Sequence, residues 1–143
     1  MKTVGIYLAG GMGALSLEEQ TRWRKQVRDA IIYGDYDCEY KPLFFDPTQY
    51  YNFEKPLKHK SEGESMEFDL YNLKRSDLVV VNFNDPKSIG TAMELMIAKE
   101  NGIPIIGLNE DGAELHPWLI ECVNRMCDDM RELVNHVVDF YLN

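Results

Sequence analysis

The chain has 143 residues, 45% of them hydrophobic and 27% charged, the balance of a soluble globular protein. That length suffices for a single domain, residues 1–143, with a core that needs neither disulfides nor metal to hold it. Asp and Glu number 24 against 15 Lys and Arg, a formal net charge of -9. This argues against a nucleic-acid polymer as partner, but not against a small anion held by a glycine loop or a helix N-terminus.

The three cysteines, Cys38, Cys122 and Cys127, form no CxxC pair and share no ligand spacing with His59, His116 or His136, so no metal site is read. Reduced thiols are the simplest interpretation. No apolar run reaches the ~18 residues of a membrane helix, and Lys2 leads directly into the first strand, so the expected location is the cytoplasm.

In chain order, Thr3 to Ala9 reads as a buried strand that ends in the Gly10-Gly11-Met12-Gly13 turn. Ser16 and Glu19 are placed as the two halves of a capping box. The helix they open carries Trp23, Val27 and Ile31 on its core face as far as Gly34. Tyr40 to Phe45 predicts a second strand closed by Asp46-Pro47, and Thr48 to Glu64 a long polar loop. Ser65 to Arg75 reads as a helix and Asp77 to Phe83 as a strand. Gly90 to Asn101 predicts another helix, with Gly102 as its left-handed C-terminal residue. Ile103 to Leu108 is a fourth strand, in which Pro104 suggests an edge position or a broken ladder. Asp128 to Leu142 closes the chain as an amphipathic helix. Strands alternating with helices predict an α/β fold: a Rossmann-like or flavodoxin-like parallel sheet with helices on both faces.

The most informative stretch is Val79 to Leu95, a buried strand, the polar loop Asn84-Asp85-Pro86, and a glycine turn opening a helix. In open parallel sheets, ligands bind beyond the carboxyl ends of the strands. A Glu near a helix start ordinarily serves the helix dipole from solvent. Glu94 instead follows Gly90-Thr91-Ala92 and stands between Met93 and Leu95, which points to a carboxylate facing a substrate. Asp69 has two readings, an exposed residue of its helix or a second acid at a pocket. Tyr7 is either a core tyrosine with a satisfied hydroxyl or a group that orients a carboxylate. The Gly10 to Gly13 turn has neither the Lys-Ser/Thr ending of a P-loop nor the spacing of a dinucleotide fingerprint, so no cofactor is implied. Two carboxylates and a tyrosine without a metal suggest substitution at a sugar carbon.

Together these residues resemble the nucleoside 2-deoxyribosyltransferase family. The likeness rests on Tyr7-Leu8-Ala9-Gly10, on Asp69 with Ser76 to Val81, and on Ser88-Ile89-Gly90-Thr91-Ala92-Met93-Glu94-Leu95. It runs from the first strand to the Trp118 region. The resemblance implies a flavodoxin-like fold assembled as homodimers or higher homo-oligomers with shared active sites. It implies cleavage of the N-glycosidic bond of 2'-deoxynucleosides by Glu94 as nucleophile, with transfer of the deoxyribosyl group to another nucleobase. Tyr7 would position that nucleophile and Asp69 would contact or protonate the base. Gly10, Gly11, Ser88 and Gly90 would line the substrate, and Asn124 corresponds loosely to a residue lent to a neighbour's site.

Ser88 departs from the pattern. Transferases of the family often carry an aspartate there for the sugar 5'-hydroxyl, whereas a related branch that hydrolyses deoxynucleoside 5'-monophosphates carries serine. A carboxylate would repel a phosphate and a hydroxyl can donate to it. The alternatives are therefore a 5'-monophosphate N-glycosidase or, from another class, a nucleotide-binding module without catalysis. Tyr50 to Phe53 are candidates for a lid over the base.

Overall fold

The computed structural model describes residues 2–51 and 59–143. Five strands form one sheet: β1 (Thr3–Gly10), β2 (Lys41–Phe45), β3 (Leu78–Asn82), β4 (Ile105–Leu108) and β5 (Arg125–Cys127). Their order is β2-β1-β3-β4-β5 and every pairing is parallel, the flavodoxin-like arrangement. The described residues also form six helices: α1 (Leu17–Tyr33), α2 (Pro47–Tyr51), α3 (Glu62–Lys74), α4 (Ile89–Glu100), α5 (Pro117–Cys122) and α6 (Met130–Tyr141). No helix among the described residues is long and apolar enough to cross a membrane.

Both faces of the sheet are covered because both sets of alternating side chains are apolar. From β1, Val4, Ile6 and Leu8 pack with Trp23, Val27 and Ile31 of α1 and with Leu133, Val134, Val137 and Val138 of α6. Tyr7 and Ala9 point to the opposite face, where Leu73 of α3 and Leu95 and Ala98 of α4 complete a second core. The sheet reverses its direction of winding between β1 and β3, and a crevice opens at the carboxyl ends of those two strands.

Helix starts follow local chemistry. The Ser16–Glu19 capping box forms, the Ser61 hydroxyl accepts from Glu64 N, and Asp129 caps α6. Gly102 follows α4 with φ 69°, the left-handed geometry expected of it.

Three expectations need correction. The segment from Thr48 is not a loop throughout: α2 occupies its start, and α3 begins at Glu62 because Ser61 caps it. Residues 52–58 of that segment, including Asn52 and Phe53 of the suggested lid, lie outside the described residues. Pro104 marks neither an edge nor a break. β4 is an interior strand beginning one residue later, and the Pro104 carbonyl accepts from Val79 N. The sequence reading also passed over α5 and β5, which are six and three residues long.

The Leu8 side chain is fully buried in the middle of the sheet. Leu8→Ala is expected to cost about 2–5 kcal/mol, the range for a buried leucine whose site collapses only partly, as read by urea unfolding.

Candidate active site

A cleft of about 730 Å³ lies at the β1–β3 crevice, lined by the Gly10–Gly13 turn, Arg24, Pro47, the inner face of α3 and the first turns of α4. A smaller hollow of about 220 Å³ lies at the opposite, amino-terminal edge, between the end of α4 and the α5–β5 connection.

Glu94 and Tyr7 meet in the first cleft. Tyr7 leaves β1 on the face covered by α4, and its hydroxyl donates a hydrogen bond to Glu94 Oε2. Thr91, Leu95 and Ala98 bury the sheet-facing side of α4, which brings Glu94 round to the end of the strands. The Glu94 carboxyl is raised to about 7, with burial the largest cause. The Tyr7 hydrogen bond lowers it, the nearby Asp69 raises it further, and Arg24 lowers it. Tyr7 is pushed well above an ordinary phenol by burial and then by the charges of Glu94 and Asp69. It therefore stays protonated and remains a donor. Asp69 lies on α3 and lines the same cleft, near enough for its charge to act on both Tyr7 and Glu94.

The other expected residues divide into three kinds. Ser88 and Gly90 stand at the mouth. Ser88 caps α4, its Oγ accepting from Thr91 N at 3.3 Å and from Thr91 Oγ1 at 2.9 Å. The Thr91 N contact uses a Ser88 lone pair, so the Ser88 hydroxyl can turn its proton to Thr91 Oγ1 or to a ligand at the mouth. A side chain at Gly90 would meet no atom within 4 Å, so the first turn of α4 opens onto the cleft. Gly10 and Gly11 are first of all packing glycines. A Cβ on Gly10 would lie 2.9 Å from the Trp23 ring, and one on Gly11 would lie 2.5 Å from Asp85 Cβ. Gly10 also lines the cleft, whereas Gly11 lies behind it, holding the first loop against the Asn84-Asp85-Pro86 loop.

Asn124 has no place in this cleft. It lies at the amino-terminal edge, where its Oδ1 accepts from Ile105 N and its own N–H donates to Ile105 O. Within one copy of the chain it aligns the start of β4 with β5. Trp23 is a core residue, while Trp118 on α5 is 70% exposed and does not line the cleft. Tyr50 packs edge-on against Phe68 of α3, ring centres 5.5 Å apart.

Arg24 was missed in the sequence. Its side chain is fully buried beneath the cleft, donating to the carbonyls of Leu8, Gln20 and Gly10 and lying 3.8 Å from Asp46. The signal was available: position 24 falls on the same α1 face as Val27 and Ile31, where the stripe calls for an apolar residue. Among the described residues no group of three or more His, Cys, Asp or Glu is placed to hold a metal ion.

This architecture is shared with known proteins. A 2-deoxyribosyltransferase from Bacillus psychrosaccharolyticus superposes with a TM-score of 0.70 at 18% identity, covering 92% of this chain and 91% of that one. A 2-deoxyribosyltransferase from Leishmania mexicana does so with a TM-score of 0.67 at 16% identity, over 97% and 99% of the two chains. The chain has the fold of the 2-deoxyribosyltransferases. A CMP N-glycosidase from Clostridium botulinum superposes more loosely, with a TM-score of 0.56 at 21% identity, over 96% and 99%. No family model matches the chain, and no curated protein matches it in sequence.

The raised Glu94 carboxyl has a consequence for stability. Glu94 holds its proton more tightly in the folded chain than in the unfolded one. The stability linked to that proton is complete below about 4.5, and it is lost as pH rises through about 7. Glu94→Gln, which cannot ionise, should therefore gain on wild type with rising pH, its melting-temperature advantage being larger at about pH 8 than at about pH 5. An equal difference at both pH values would refute the buried ionisation.

Proposed function

We propose that the chain is a nucleoside 2-deoxyribosyltransferase, cofactor-independent, with Glu94 as nucleophile. The observation that carries this reading is the Tyr7–Glu94 hydrogen bond inside a cleft that also holds Asp69. One Glu94 carboxylate oxygen attacks the anomeric carbon of a 2'-deoxynucleoside. The C1'–N bond breaks and its electron pair leaves with the base, which takes a proton from Asp69 or from water. The product is a deoxyribosyl ester of Glu94. A ring nitrogen of a second base then attacks the same carbon, its proton passing to Asp69 or to water, and Glu94 departs as a carboxylate. Tyr7 holds Oε2 by its hydrogen bond and so orients the other oxygen for attack. Partial burial serves the same chemistry, because a carboxylate stripped of water is the stronger nucleophile and the better-stabilised leaving group is the ionised one held by Tyr7. The named structural neighbours that are 2-deoxyribosyltransferases support the reading. In this reading the protein works as a homo-oligomer in the cytoplasm, in nucleotide salvage.

A second reading, a nucleoside 5'-monophosphate N-glycosidase, is favoured by one observation. The Ser88 hydroxyl stands at the mouth of the cleft, beside the open first turn of α4. It can donate to a phosphate there, with water replacing the second base as acceptor.

Chromatography of purified protein with deoxynucleosides and with their 5'-monophosphates, with and without an acceptor base, separates the two. New nucleosides formed only when acceptor is present establish the transferase, and free base from monophosphates regardless of acceptor establishes the hydrolase. Glu94→Gln should abolish cleavage in either case, since an amide is a far poorer nucleophile; retained turnover would sink the assignment. In the wild type, kcat/KM should rise with pH through about 7 as Glu94 ionises, and a flat profile across that range would exclude it as the nucleophile.

Ser88→Asp keeps a good helix cap and replaces a donor by a negative charge. It should therefore move the ratio of kcat/KM values away from monophosphates and toward free nucleosides by about tenfold or more, the scale of one unfavourable charge contact. An unmoved ratio places the phosphate elsewhere.

A further inference from the structure

β1 pairs with two neighbours, but not over the same length. Its last pair with β2 is Tyr7–Phe45, whereas pairing with β3 continues to Gly10–Asn82. Carbonyls along a strand alternate in direction. The Lys2 carbonyl accepts from Lys41 N on the β2 side, and the Gly5 carbonyl accepts from Asp77 N on the β3 side. The even-numbered carbonyls of β1 thus face β2. Leu8 O and Gly10 O point to a flank where β2 has ended, and the residue that would continue the ladder, Pro47, has no N–H to give.

Arg24 supplies the missing donors. Its Nε donates to Leu8 O at 3.2 Å and its Nη2 to Gly10 O at 3.3 Å, while Nη1 donates to Gln20 O of its own helix at 2.7 Å. Three carbonyls in divergent directions suit the planar fork of a guanidinium and not the single point of an ammonium. On its other side the charge is met by Asp46, which is also 3.3 Å from Arg28 Nε and accepts from Thr48 N and Thr48 Oγ1 at the start of α2. Arg24 thereby ties the end of β1, at Gly10, to Asp46 and the start of α2, and Gly10 and Pro47 both line the cleft. Tyr7 is the residue immediately before this fastened end.

We propose that Arg24 is a positioning residue for the reaction at Glu94: it replaces the absent strand beside Leu8 and Gly10, so fixing the seat of Tyr7, and it places a permanent positive charge beneath the cleft. The proposal rests on the reading of Glu94 as nucleophile. Among the described residues, the charged and titratable groups that face Glu94 are Tyr7 from β1, Asp69 from α3 and Arg24 from α1; those that face Arg24 are Asp46, Glu94, Tyr7 and Asp69. Arg24 is thus the cation in that set among the described residues, and its loss moves ionisation of the Glu94 carboxyl to higher pH.

The test measures kcat, KM and the pH dependence of kcat/KM on a deoxynucleoside or its monophosphate, whichever the wild type cleaves, with circular dichroism to establish folding. Arg24→Lys keeps the charge and loses the fork. It should lower kcat by about tenfold or more with KM changed by less than about threefold, and move the acid limb less than Arg24→Gln does. Arg24→Gln loses the charge and should also shift that limb to higher pH. Should position 24 tolerate no substitution, Asp46→Asn keeps all three carbonyl contacts and removes the counter-charge, so the acid limb should move to lower pH.

A folded Arg24→Lys with wild-type kcat, a folded Arg24→Gln with an unshifted limb, or a folded Asp46→Asn with an unshifted limb would each overturn the proposal. Glu94→Gln run alongside separates the two failures. If the wild type is active and Glu94→Gln is dead while the Arg24 variants behave as wild type, only the role of Arg24 falls. If Glu94→Gln keeps turnover, the nucleophile assignment falls and this proposal falls with it.

Discussion

β1 outruns β2 by Leu8, Ala9 and Gly10, and the rest of the cleft is arranged around those three residues. A strand that extends beyond one neighbour exposes backbone polar groups on that flank, and burying them without partners would cost about 1–3 kcal/mol each. The chain resolves this with a side chain from the layer on the far side of the sheet. Arg24 enters from the α1 face while Glu94 approaches from the α4 face, and the two layers meet at the end of the strand. The crevice is therefore bordered by elements that a single buried charge ties together.

The carboxylate in that crevice is held between opposing demands. Removing it from water favours its protonated form, and Asp69 adds to that pressure; the Tyr7 hydroxyl and the Arg24 charge favour the ionised form. The balance near neutrality is what proton-dependent or nucleophilic chemistry at cellular pH asks of a glutamate. Tyr7 can fill its part because its own proton is firmly held, by the same burial that raises Glu94.

Much of this was legible in the sequence. Regular alternation and strong caps revealed β1, α1, β3, α4 and α6, and the glycine turn before Glu94 placed that residue at the sheet's carboxyl edge. The start of α3 was misjudged because Gly63 weakens the helix pattern while Ser61, three residues before Glu64, states the cap plainly. β5 was lost because three residues carry too short a period to detect. Pro104 misled because a proline just ahead of a strand looks, in sequence, like one within it. At the site, Tyr7, Asp69, Ser88, Gly90 and Glu94 do come together. Asn124 lies at the opposite edge of the same copy, where it pins the register of β4; the expected role was at a neighbour's site. Arg24 interrupts the apolar stripe of α1, but its partners are backbone carbonyls, so nothing in the residue pattern says what that charge meets.

The cap at Ser88 has an evolutionary implication. Serine and aspartate serve a helix N-terminus almost equally well, so the fold is indifferent to which of them opens α4. Most residues at the rim of a cleft are constrained twice, once by what they touch and once by what they support. Position 88 is released from the second constraint, and a lineage can exchange a neutral rim for an acidic one in a single step without crossing a poorly folded intermediate.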